Sequence, residues 1–155
     1  MKSLIIAVSA CLSLNAFAGS DQVYEKSFKQ TMDTVYPNVS KALEGNGFKI
    51  VYEVDIGNNL KSLSEKLGAA YNQNHLESTK SIVFCNGILA NKIGNADPSM
   101  LALCPLHVTL VQKDGATSVL FVKPSAVAKG SPAEQAAKEL EAKVVKALEA
   151  SVDAK

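Results

Sequence analysis

The chain has 155 residues, 47% hydrophobic and 20% charged, with 16 basic residues against 15 acidic ones and a formal net charge of +1. Every basic residue is a lysine. With no basic excess and no guanidinium for bidentate phosphate contacts, the composition argues against nucleic-acid binding.

In chain order, "MKSLIIAVSACLSLNAFA" comes first. It carries Lys2, an apolar run too short to span a bilayer as a helix, and Ala16-Phe17-Ala18, the small-x-small pattern of a signal-peptidase site. Cys11 lies inside that run without the Leu-small-small-Cys context of a lipoprotein anchor. Residues 1–18 are therefore expected to be a secretory signal peptide, with the mature chain beginning at Gly19 and residues 19–155 forming a single domain. Loss of Lys2 brings the net charge to zero. No later apolar run approaches transmembrane length, so no membrane span is expected after processing. The expected location is periplasmic or secreted, where disulfides persist.

"VYEKS" reads as a short first strand. Phe28, Met32, Val35, Val39 and Leu43 then recur at helical steps, with Ser27 as cap, Pro37 inside the pattern and Gly45-Asn46-Gly47 as its stop. "FKIVYEVDI" (48–56) follows as a strand. Gly57-Asn58-Asn59 opens a short helix with Leu60, Leu63 and Leu67 on one face, and 69–80 is polar and irregular around His75. "SIVFC" is a strand running into Asn86-Gly87 and a helix to about Ile93. Asp97-Pro98 reads as a cap and first-turn proline for one more helical turn, ending near Cys104.

"LHVTLVQ" and "TSVLFVK" pair as strands across a Lys113-Asp114-Gly115-Ala116 hairpin. Ser131-Pro132-Ala133-Glu134 has the form of a capping box before a last helix, whose stripe is Ala133, Ala137, Leu140, Val144 and Leu148. Single-faced helices with a mostly antiparallel sheet predict an α+β two-layer sandwich, the helices packed on one face.

The chemistry concentrates in "FCNGILANKIGNADPSMLALCPLH". Cys85 and Cys104 are the two cysteines left after processing, an even count that favours a bridge in an oxidising compartment. The bridge would close a loop of about twenty residues, worth roughly 3 kcal/mol. A second reading makes Cys85, at a strand-to-helix junction, a reactive thiol. A third adds Met100 and His107, a sulfur-rich set suited to Cu(I) or another soft metal.

His75 reads as a solvated loop residue, Asp97 as a cap, and Glu134/Lys138 with Glu139/Lys143 as pairs on an exposed helix face. No Ser/His/Asp, Cys/His/Asn or paired-carboxylate arrangement stands out, no cofactor motif is present, and no catalytic residue is assigned.

Phe84-Cys85, Ala96-Asp97-Pro98 and Cys104-Pro105, with Thr31 before a helix closing on Gly47-Phe48 and "LSEKLG" ahead of the cysteine strand, resemble the exported branch of the domain-of-unknown-function family 302. The resemblance runs from Phe28 to Ala150 and departs at Leu106-His107, where that branch usually has an aromatic after Cys-Pro. It implies a small two-layer fold, commonly a homodimer, with no established activity and with occurrence beside sulfur-oxidation or respiratory proteins. The expected function is an exported binding or accessory domain of unknown ligand stapled by Cys85–Cys104. The alternative is a thiol- or Cu(I)-dependent site on the same pair.

Overall fold

The computed structural model describes residues 21–151. The expected signal peptide, residues 1–18, lies outside them. The strands are β1 (Val23–Phe28), β2 (Lys49–Asp55), β3 (Ser78–Cys85), β4 (Leu106–Lys113) and β5 (Ala116–Val122). They form one sheet in the order β1-β5-β4-β3-β2, with every neighbouring pair antiparallel. The helices are α1 (Met32–Gly45), α2 (Ile56–Lys61), α3 (Ser64–Leu67), α4 (Gly87–Ala96), α5 (Pro124–Val127) and α6 (Glu134–Ala150). This is the α+β two-layer arrangement the periodicities predict.

Strand alternation sends one set of side chains under the helices. Ile82 and Phe84 of β3, Leu106, Val108 and Leu110 of β4, and Val119 and Phe121 of β5 are buried. Met32, Val35, Val39 and Leu43 of α1 and Leu140, Val144 and Leu148 of α6 close over them. Phe48 enters beside Phe84 edge-on, with centroids 5.2 Å apart and an interplanar angle of 81°, a favoured aromatic geometry. Among the described residues, the opposite sheet face has no layer of long helices like α1 and α6. His107 and Thr109 of β4, which alternate with the buried residues, lie there.

The hairpin follows its turn chemistry. Asp114 (φ +52°) and Gly115 (φ +73°) make the two-residue link between β4 and β5, since both central positions of such a turn need positive φ. The start of α1 differs from expectation. Ser27 belongs to β1 and its hydroxyl pairs with that of Ser118 at 2.7 Å, while Thr31 takes the cap position. Phe28 ends the strand, and its burial comes from the sheet. Its helical spacing from Met32 is a coincidence of two elements sharing one core.

The Leu60-Leu63-Leu67 stripe does not reach the core, and these residues stay 46%, 47% and 40% exposed. The segment breaks into a six-residue and a four-residue helix, of which α2 touches β3. Neither is long enough to lay a continuous apolar face on the sheet. α5, opened by Pro124 directly after β5, carries too short a pattern to be read from the sequence. At the start of α6 the expected box is displaced. Ser131 Oγ accepts from Ala133 N at 3.1 Å, and Glu134 Oε2 accepts from Gly130 N at 2.8 Å. No helix among the described residues is long and apolar enough to cross a membrane.

Candidate functional site: a dithiol at the end of the sheet

The site begins with how the chain leaves β3 and comes back. Asn86 caps α4, its Oδ1 accepting from Leu89 N at 3.0 Å, and its Nδ2 donates to Gly47 O at 2.9 Å. α4 then runs out with Leu89 and Ile93 in the core. Asp97 turns the chain: its Oδ1 accepts from Ser99 N at 3.0 Å and Ser99 Oγ at 2.7 Å, starting a 3-10 turn over Pro98–Leu103. Its Oδ2 accepts from Ser131 Oγ at 2.6 Å, tying the corner to the approach of α6. The turn folds back on α4, where a Cβ on Gly94 would sit 3.0 Å from the Leu101 side chain. A side chain there would push the Leu101 side chain aside.

The excursion therefore returns Cys104 to the strand end it left. Phe84 pairs with Leu106, so Cys85 lies beside the Cys104-Pro105 step, whose peptide bond is cis. Both cysteines are half-buried. The Cys104 thiol pKa is raised, first by burial and then by the charge of Cys85 and a hydrogen bond with it. The two sulfurs are neighbours. They are free thiols in this structure and not the bridge expected from their count. A half-buried thiol with a second sulfur beside it holds its proton more tightly, because a thiolate would lose solvation and face like charge.

The other two proposed ligands lie on different sides of the sheet. Met100 packs against the core under the helices, whereas His107 is exposed on the opposite sheet face, between the buried Leu106 and Val108. The register pairs His107 with Val83. Among the described residues no three His, Cys, Asp or Glu side chains gather as a metal ion would need. Alternation from the buried Phe84 puts Cys85 on the face that His107 shares, so the proposed Cu(I) donors are divided between the two sides of the sheet, Met100 on one and His107 on the other.

The model for "Domain of unknown function DUF302" matches residues 24–151. The chain belongs to the DUF302 family. Among solved structures, it is similar to the crystal structure of an uncharacterized conserved DUF302 protein from Bacillus stearothermophilus. The TM-score is 0.71 at 17% identity, covering 84% of this chain and 98% of that one. At that identity the likeness establishes the fold alone. No curated protein matches this DUF302 chain.

Sequence reasoning missed two features of this DUF302 domain. Lys49 pairs across β2–β3 with Cys85, placing its exposed side chain on the same sheet face as the thiol. Only register reveals that. The second is a cleft of about 520 Å³ between α2 and residues 70–77, floored by Ser78 and Thr79 at the far end of β3. Its lining comes from two separated segments with no shared motif. Of the lesser candidates, His75 is an exposed turn residue at φ +54° and Asp97 is the cap described above. Glu134 pairs with Lys138 at 2.7 Å as the spacing predicts. Glu139 instead pairs with Lys92 of α4, and Lys143 lies over the Phe48 ring, 5.9 Å from its centroid.

Proposed function

We propose that this DUF302 chain is an exported accessory domain, periplasmic or secreted, that binds a small ligand or partner protein, and whose Cys85–Cys104 pair closes into a structural disulfide in an oxidising compartment. The observation that carries the reading is the return of Cys104 to the strand end at Cys85, where burial first and then the neighbouring Cys85 sulfur raise the Cys104 pKa. The secretory pattern of residues 1–18 supports the compartment. Closure follows thiol–disulfide exchange: a disulfide-bearing oxidant accepts two electrons and two protons, becoming a dithiol while Cys85 and Cys104 become joined. The bridge closes the α4 excursion, so its contribution lies mainly in restricting the unfolded chain, by roughly 3 kcal/mol. The resemblance that carries export also carries a homodimer, and the proposal includes one. It assigns no reaction and no catalytic residue to the domain.

Intact mass and thiol titration of the secreted protein, before and after reductant, test this reading. A chain beginning at Gly19, with no titratable thiol until reduction and a lower melting temperature afterwards, supports it. Two thiols already free in the native exported protein, and able to take up Cu(I), would overturn the staple in favour of a thiol- or copper-dependent site. Light scattering checks the dimer, and a monomer at working concentration removes that part.

A further inference from the structure

The cleft at the far end of β2 and β3 is built with care and has polar groups left over. Asp55 Oδ1 accepts from Asn58 N at 2.8 Å, capping α2. Gly57 lets that helix lie close on β3, since a Cβ there would stand 3.2 Å from Thr79 N. On the other wall, Asn72 (φ +44°) closes its loop by accepting from Leu76 N at 2.8 Å and donating to Leu76 O at 2.9 Å. Glu77 holds the neighbouring hairpin through Gln112 and Gly115. These groups are occupied in shaping the walls.

The remaining polar lining is not. Among the described residues, the side chains of Asn58, Lys61, Tyr71 and Asn74 face the cleft with no hydrogen bond or ion pair to the protein. Asp55 uses one carboxylate oxygen as a cap and forms no ion pair. Its cross-strand neighbour Lys80 directs its ammonium to the Tyr36 ring, 5.4 Å from the centroid. Asp55 and Lys61 thus line one cavity with opposite charges and do not pair with each other. Asp55 caps α2 and Lys61 ends it, six residues apart, or about 9 Å of helix rise between their backbones.

We infer that this cleft binds a short zwitterionic peptide of two or three residues, with its ammonium at Asp55 and its carboxylate at Lys61. An amino acid carries both charges on one carbon and would leave one end unmet. Two to three extended residues span roughly 7–10 Å, matching the separation. Asn58 and Asn74 each offer a donor and an acceptor, the complement of a peptide group. Leu60, 46% exposed at the cleft, gives an apolar side chain something to pack on. The volume lies within the usual range for small-ligand sites. The inference deepens the binding-domain reading and rests on it, but it is independent of the thiols, which lie at the other end of the strands.

Calorimetric titration of the mature chain with leucyl-leucine and leucyl-alanyl-leucine tests it, beside the N-acetylated and C-amidated forms and glucose. The free peptides should bind, and blocking either terminus should weaken binding about tenfold or more, as for loss of a hydrogen bond to a charged group. Asp55→Asn, which keeps a good cap for α2, should abolish the sensitivity to acetylation alone. Lys61→Gln should abolish the sensitivity to amidation alone. Unchanged melting temperatures would show both variants folded. Failure of the free peptides to bind overturns the inference. Equal binding of the blocked peptides, or of glucose, also overturns it while leaving a binding domain in place, and the thiol titration is unaffected by any of these outcomes.

Discussion

The Ser131 hydroxyl donates to Asp97 Oδ2 at 2.6 Å, joining the corner that returns Cys104 to the turn that starts α6. The two residues are 34 apart in sequence. One carboxylate therefore caps a 3-10 turn through Ser99 and anchors that turn to the helix layer, so the position of the thiol pair depends on it.

That clamp should make part of the stability acid-sensitive. Hydrogen bonds from Ser131 and Ser99 hold the Asp97 carboxyl below its ordinary value. A folded pKa depressed in this way gives stability that is present above the unfolded value of about 3.9 and is lost as pH falls through the folded one. Asp97→Asn should lower the denaturant midpoint at neutral pH and flatten its decline between pH 5 and 3. A variant declining as steeply as wild type would show that Asp97 carries none of the acid sensitivity.

Asn86 works in two directions, and its variants should separate them. Asn86→Ala loses the cap on Leu89 N and the donor to Gly47 O, at a cost of about 1–3 kcal/mol. Asn86→Ser keeps a side-chain oxygen for the cap and loses the donor, so its chemical-denaturation midpoint should fall between wild type and the alanine variant. Equal loss in both variants would assign the whole effect to Gly47 O.

The two leucine stripes should respond differently. Leu140, 2% exposed on α6, should cost about 2–5 kcal/mol on truncation to alanine. Leu63, 47% exposed, should stay within about 0.5 kcal/mol of wild type. Urea unfolding of both single variants checks this. A large loss at Leu63 would mean that the α2–α3 segment is covered in solution.

For the reduced protein, the raised Cys104 pKa fixes the sign of its pH response. A thiol whose folded pKa lies above its unfolded value of about 8.5 contributes stability below that value and loses it as pH rises through the folded one. Alkylation of Cys104 by iodoacetamide should lag that of a free cysteine through the neutral and mildly alkaline range. Cys85→Ala removes the neighbouring charge and hydrogen bond, so its labelling profile should move towards lower pH while burial keeps it above the ordinary position. Site-resolved mass spectrometry of labelled peptides reads this directly, and an unmoved profile would deny the coupling.

Elements whose signals are local were legible from the residues alone. The Asp114-Gly115 hairpin, the Asp97-Pro98 corner and the α6 stripe of Leu140, Val144 and Leu148 rest on backbone chemistry and periodicity, which act within a few residues. The adjacency of Cys85 and Cys104 was half legible, because an even count implies a partner without placing it. Packing set the rest. Met100 and His107 are seven residues apart, yet β4 alternation and the helix layer put them on opposite sides of the sheet. Phe28 and Met32 keep helical spacing although a strand ends between them. Lys49 meets Cys85 through register, and Asp55 meets residues 70–77 through the close approach of Gly57 to β3. Such placements follow from which faces must be buried together, a property of the packed chain that no local window of residues contains.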